Sequence, residues 1–158
     1  SIGTFAVQLA KYFGAEVTGV CSTKNMDYVK SLGADKVIDY TKQDFAKTGD
    51  TYDVIFDTVG KSSFSICKPA LENGGKYVVT VMTLKRIIQS ILTRFAGNKK
   101  LIFAMSVNKT EELEYIRDLI EKGHLKTYID RQYSFEELPE AHAYVDKGHK
   151  KGNVVIEI

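Results

Sequence analysis

Apolar residues along this chain switch repeatedly between two spacings. Ile2, Phe5, Ala6, Leu9, Ala10 and Phe13 recur at three- and four-residue intervals, which predicts an amphipathic helix at the start. Gly14 tolerates the left-handed backbone that ends such a helix. Val17, Thr18 and Val20 then read as a short β-prone run of the kind buried in a parallel sheet. The pattern recurs: Met26, Val29 and Leu32 give a second helical stripe, Gly33 closes it, and Val37 and Ile38 form a strand. The junctions Phe13-Gly14-Ala15-Glu16 and Leu32-Gly33-Ala34-Asp35 share the order hydrophobe, glycine, alanine, acid. The likeness stops there, so it marks successive strand–helix units and not a solenoid.

Further strands are expected at Tyr52 to Asp57, Lys76 to Val81 and Leu101 to Met105. A short helix from about Ser63 to Leu71 lies between the first two, bent near Pro69, whose ring removes a backbone donor. A longer helix, Leu84 to Phe95, carries Ile87, Ile88, Ile91, Leu92 and Phe95 with Lys85, Arg86 and Arg94 beside them. That combination also suits a membrane-surface helix. Because every neighbouring unit is a strand–helix crossover, its apolar side is expected to pack on a sheet or a partner subunit. Asn108 and Glu111 have capping-box spacing before another helix, which Gly123 closes. After a strand-like run from Tyr128 to Tyr133, Ser134 and Glu137 form a second box, and that helix stops at Gly148. Val154 to Ile158 is a final strand. The fold class is therefore α/β, a doubly wound parallel sheet, and no linker or low-complexity stretch divides its 158 residues, so a single domain is expected.

Composition narrows the function. The net charge of +2 and scattered basic residues give no reason to expect nucleic acid. No apolar run approaches the roughly 20 residues of a membrane span, and no secretory signal is present at the start, so a cytoplasmic protein without membrane is expected. Cys21 and Cys67 lie far apart, and His124, His142 and His149 lack metal-pair spacing, so neither a disulfide framework nor a metal site is expected.

Open parallel sheets bind ligands at strand carboxyl ends. Ser1-Ile2-Gly3, opening the first helix, could be the tail of a Gly-x-x-Gly phosphate turn, where free N–H groups face a pyrophosphate. The second strand ends in Cys21-Ser22-Thr23-Lys24-Asn25. An NAD site has an acid there to hold the ribose hydroxyls, whereas Ser22, Thr23 and Lys24 suit a 2′-phosphate. NADP(H) is therefore expected over NAD(H), with helix capping a compatible role for Ser22 or Thr23. Asp57-Thr58-Val59-Gly60 ends another strand, and its glycine permits either close approach to a ligand or a plain turn.

Ser-Ile-Gly-x-x-Ala-Val-Gln-Leu-Ala-Lys from Ser1, Leu-Gly-Ala-Asp-x-Val-Ile-Asp-Tyr from Leu32 and Tyr-Asp-Val-Ile-Phe-Asp-Thr-Val-Gly from Tyr52 resemble the medium-chain dehydrogenase/reductase superfamily. So do Gly74-Gly75-Lys76-Tyr77-Val78, Leu-Pro-Glu-Ala-His-Ala-Tyr-Val from Leu138 and Gly-His-Lys-Lys-Gly-Asn-Val-Val-Ile from Gly148. The branch resembled is the quinone oxidoreductase, zinc-binding-dehydrogenase-like group, and the likeness covers essentially the whole chain. It implies a Rossmann-type NAD(P)-binding domain over residues 1–158, with about 128–158 returning toward a catalytic domain.

The resemblance also implies roles. Gly3 would be the last glycine of the phosphate turn with Ile2 facing the pyrophosphate, and Ser22, Thr23, Lys24 and Tyr40 would surround the 2′-phosphate. Tyr40 could equally be a packed strand-end aromatic. Thr58, Val59 and Gly60 would line the adenine and ribose side, Thr80, Val81, Phe103, Ala104 and Met105 would approach the nicotinamide, and Asn153 would sit near the cofactor. A basic residue is common at the position of Asn153. No catalytic acid and no zinc ligand is assigned, and a homodimer through the Leu101 to Met105 edge strand is implied.

Relative to the family pattern, the GroES-like domain, the first Rossmann strand and its leading glycine are missing ahead of Ser1. That strand is central in the order 3-2-1-4-5-6. Its loss would leave buried backbone groups unpaired at roughly 1–3 kcal/mol each, against a domain stability of about 5–15 kcal/mol. An upstream segment, a strand from another chain, or a piece of a longer enzyme is expected. The reaction implied is hydride transfer between NADPH and a quinone, enone, or carbonyl or alcohol substrate, with this segment by itself binding cofactor weakly and catalysing nothing. The alternative is a non-catalytic nucleotide-binding or oligomerisation module. A methyltransferase would want an acid where Ser22-Thr23-Lys24 stands.

Overall fold

The structure is a computed structural model that describes every residue except Ser1, Ala96, 105–108 and His149. Helices and strands alternate as α1 (Ile2–Tyr12), β1 (Thr18–Cys21), α2 (Met26–Ser31), β2 (Lys36–Asp39), β3 (Tyr52–Asp57), α3 (Phe64–Cys67), β4 (Leu71–Val79), α4 (Leu84–Phe95), β5 (Lys100–Phe103), α5 (Thr110–Glu121), β6 (Ile129–Ser134), α6 (Leu138–Asp146) and β7 (Asn153–Glu157). β3, β4 and β5 pair in parallel, as do β6 and β7. This is an α/β fold of Rossmann type. Its hydrogen-bonded strands fall into three groups, β1-β2, β3-β4-β5 and β6-β7.

Two compact units are present. The first comprises Ser1–Gly19, Lys24–Val37 and Lys109–Ile158. Within it the buried Gln8 of α1 donates to the Lys126 carbonyl at 3.0 Å and accepts from the Lys126 N–H at 2.8 Å, closing a loop that would otherwise carry two bare backbone groups. The acid of the second junction also has a function: Asp35 pairs with Lys11 at 2.8 Å and accepts from the Val17 N–H at 2.7 Å. Both junction glycines are left-handed, Gly14 at φ 79° and Gly33 at φ 104°. The Ser134–Glu137 box forms, with Glu137 accepting from the Ser134 N–H at 2.9 Å, but a 3-10 turn at Phe135–Glu137 precedes α6. The other expected box rests on Asn108, which lies outside the described residues; α5 begins at Thr110 after Lys109, which makes no side-chain cap.

The second unit comprises Val20–Thr23 and Ile38–Asn108. Its core is Phe64, Cys67, Leu71, Tyr77, Val79 and Leu101, with Phe45, Ile55 and Phe103 packed against it. The expected bent helix is two pieces, α3 capped by Ser63 and a 3-10 turn at Lys68–Ala70, because Pro69 cannot donate to continue α3. β4 starts earlier than expected, at Leu71. Its pairing with β3 shifts register between Tyr52 and Val54, which accommodates the extra residues.

Of the two placements expected for the apolar side of α4, a sheet or a partner subunit, the sheet is not the one it takes. The residues it buries are Ser90 and Thr93. Ser90 donates to the Leu101 carbonyl at 2.8 Å, and the Leu101 N–H donates to Thr93 Oγ1 at 3.2 Å. Among the described residues β5 has a neighbouring strand on one side only, so these hydroxyls cover part of that edge. Hydrogen-bond supply thus outweighs apolar burial in orienting α4. A homodimer pairing along 101–105 would compete with these bonds at Leu101.

Candidate functional site

The loop after β3 is organised by one carboxylate. Asp57 accepts from the N–H groups of Val59 at 3.1 Å, Gly60 at 2.7 Å and Ser62 at 3.1 Å, and from the Tyr77 hydroxyl at 2.8 Å. Burial pushes its pKa up, but the four donors outweigh burial and hold the carboxyl below the usual aspartate range. The Tyr77 hydroxyl is shifted strongly upward, first by burial and then by its bond to Asp57. Gly60 has φ 75°, and a Cβ there would meet Val81 Cγ2 at 2.9 Å, so this position requires glycine.

Arg86, near the start of α4, ties the ends of β3 and β4 together. Its guanidinium donates to the carbonyls of Gly60 at 3.0 Å, Ser62 at 2.9 Å and Val81 at 3.0 Å. Thr80 adds a bond from its hydroxyl to the Thr58 carbonyl at 3.3 Å. Thr58, Val59, Gly60, Thr80 and Val81 are thereby gathered at the carboxyl ends of two paired parallel strands, with Val59 and Val81 exposed. Phe103 is part-buried against the core, and the N–H of Ala104 extends the ladder to Val79 at 2.9 Å. Met105 lies outside the described residues.

At the end of β1 the Thr23 hydroxyl donates to Asp39. Asp39 also accepts the hydroxyl of Thr41 at 2.7 Å and its N–H at 2.9 Å, with Lys42 at 3.9 Å. The hydroxyls of Thr23 and Thr41, ahead of the opposing cost of desolvation, lower its pKa. At 6 % exposure this carboxylate is turned inward and saturated, so it fastens the loop. Ser22 is part-buried, and Tyr40 is exposed, which excludes a packed strand-end aromatic. Burial first, then the Asp39 charge, pushes the Cys21 thiol up, away from a reactive thiolate.

In the first unit, Ile2 and Gly3 occupy the first turn of α1, and Lys24 is exposed in the 3-10 turn before α2. The N–H of Asn153 donates to the Tyr128 carbonyl at 2.8 Å and its side-chain amide to the same oxygen at 3.4 Å, so it opens β7. Asp39, Asp57, Tyr77 and Arg86 went unassigned in the sequence reading. An aspartate two and three residues before Val59 and Gly60 is a recognisable turn former. Nothing local marks Arg86, whose partners lie up to 26 residues away.

The sequence family described as zinc-binding dehydrogenase matches residues 32–156. The chain belongs to that family. Among relatives of the chain, "Quinone-oxidoreductase QR1, chloroplastic" of Triphysaria versicolor is 37% identical over 99% of the chain and 49% of its own length. "NAD(P)H oxidoreductase RTN4IP1, mitochondrial" of Mus musculus is 32% identical over 99% of the chain and 45% of its own length. The solved quinone oxidoreductase from Coxiella burnetii superposes with a TM-score of 0.87 at 27% identity, over 100% of this chain and 50% of that one. The chain thus spans about half the length of the relatives it matches.

Among the described residues no group of three or more His, Cys, Asp and Glu side chains could hold a metal ion. Of the histidines, His124 packs its ring 5.2 Å from that of Tyr12. The second unit presents Gly60 and the exposed Val59 and Val81 at parallel strand ends, where this fold type binds nucleotide ligands. No helix among the described residues is long and apolar enough to cross a membrane.

Proposed function

We propose that the chain is the cofactor-binding part of an NADP(H)-dependent oxidoreductase acting on a quinone, an enone, or a carbonyl or alcohol substrate. The loop Asp57 to Ser62 carries this reading, because four donors to Asp57 and three carbonyls on Arg86 fix it in place before any ligand arrives. Such fixing lowers the ordering cost of binding. Thr58, Val59, Gly60, Thr80, Val81, Phe103 and Ala104 are the proposed contacts there, with Ser22 and Tyr40 at the ends of β1 and β2. Family likeness adds Ile2, Gly3 and Lys24.

The cofactor would supply the hydride chemistry, while this chain's residues bind it, orient it and exclude water. Preference for NADP(H) rests on Ser22-Thr23-Lys24-Asn25, which has no acid to repel a 2′-phosphate, and on the inward burial of Asp39. The relative "NADPH-dependent alkenal/one oxidoreductase, chloroplastic" of Arabidopsis thaliana, 30% identical, is consistent with that preference. Calorimetric titration with NADPH and NADH tests the reading: tighter NADPH binding supports it, and equal or stronger NADH binding refutes the cofactor choice. Quinone-dependent NADPH oxidation tests the reaction class.

A further inference from the structure

We propose that α4 docks the protein onto an anionic lipid surface, lying in the plane of the headgroups. At about 100° per residue, Leu84, Ile88, Ile91, Leu92 and Phe95 fall on one arc of the helix. Lys85 borders that arc on one side and Arg94 on the other, and the buried Ser90 and Thr93 lie opposite. The helix is therefore held to β5 by its hydroxyls and turns its apolar arc outward, with Leu84 75 %, Leu92 61 % and Phe95 87 % exposed. A contiguous apolar patch of this kind marks an interaction surface and not scattered surface hydrophobes.

Charge selects the occupant. No acidic residue occurs between Glu72 and Glu111, while Lys85 and Arg94 flank the apolar arc and Lys99 and Lys100 follow the helix in the chain. Lys99 and Lys100 direct their ammonium groups to the carbonyls of Lys68 and Arg94, at 2.9 and 3.3 Å, which leaves their charge unneutralised by those partners. A second copy of the same face would bring like charges together across a two-fold axis. An anionic bilayer answers both features, taking the apolar arc into its acyl boundary and the flanking cations at its phosphates. The helix has 12 residues, too short to span but sufficient to lie on the surface.

Vesicle flotation of the full chain tests the proposal, with phosphatidylcholine alone and with phosphatidylcholine and phosphatidylglycerol at three to one. The chain is expected to float with the anionic vesicles, to stay behind with the neutral ones, and to be released by salt. Lys85→Gln and Arg94→Gln should each lower partitioning roughly fivefold. Leu92→Asp and, independently, Ile88→Asp should abolish flotation with an unchanged circular dichroism spectrum and Tm. Failure to float with anionic vesicles, or flotation undiminished in both Asp variants, overturns the proposal. Light scattering that shows a dimer split by Leu92→Asp, without flotation, also overturns it and assigns the face to a second copy.

Discussion

The Tyr77 hydroxyl donates to the Asp57 carboxylate at 2.8 Å, joining a fully buried residue of β4 to the carboxylate that folds the loop after β3. Core packing and loop conformation are therefore coupled in the second unit. Tyr77→Phe keeps the ring and removes one of four donors. It is expected to cost roughly 1–2 kcal/mol in urea unfolding and to weaken NADPH binding by loosening Val59 and Gly60. Unchanged stability would mean the hydroxyl contributes nothing there.

The same carboxylate sets a pH dependence. The folded-state pKa of Asp57 lies below its ordinary value, and those of Asp39, Asp35 and Asp130 are lowered too. A depressed acid contributes stability above its unfolded pKa, about 4 for aspartate, and loses it as pH falls through the folded value. Unfolding curves should therefore show stability falling below pH about 4, with a shallower fall in Asp57→Asn.

Arg86 acts on the loops through three carbonyls, so charge alone does not replace it. Arg86→Ala should destabilise the second unit by about 2 kcal/mol and raise the Kd for NADPH. Arg86→Lys should recover little of the loss, because an ammonium group lacks the planar fork. Full recovery by lysine would show that only the positive charge matters.

Gly60→Ala places a Cβ 2.9 Å from Val81 Cγ2 at a positive φ. Roughly 1–3 kcal/mol of destabilisation is expected from the backbone strain, measurable as a lowered Tm. A neutral effect would show that the loop adopts another conformation.

Ser90→Ala and Thr93→Val remove the hydroxyls on the buried side of α4 without adding bulk. Each leaves one backbone group of Leu101 without its partner, so each should cost roughly 1–3 kcal/mol. Were either variant more stable than the parent, the orientation of α4 would be reversed.

Lys24→Glu tests the cofactor choice directly. It should lower NADPH affinity by an order of magnitude or more while leaving NADH nearly unaffected, since only the former carries a 2′-phosphate. Unchanged NADPH affinity would remove the assignment.

The alternation of helices and strands, their order, and the glycines closing α1, α2 and α5 were legible in the sequence because they follow from periodicity and backbone freedom. The limits of β3 and α4 were read to the residue, while β4 begins five residues ahead of the expected Lys76, starting at Leu71. Within the site, the turn at Thr58 to Gly60 was legible as a motif. Its governing contacts were not, since Tyr77 lies 20 residues and Arg86 up to 26 residues from their partners.

By itself, the sequence determined the strand–helix order, the family and the positions where the backbone needs glycine, all properties carried by local spacing. Tertiary structure alone decided that Thr23 serves Asp39, that Arg86 joins two loops, and that α4 buries its hydroxyls and turns its apolar arc outward. The reason is that a side chain's partner depends on which groups other segments leave unsatisfied. The bare backbone groups of Leu101 drew Ser90 and Thr93 inward against the preference of the helix's own hydrophobic pattern.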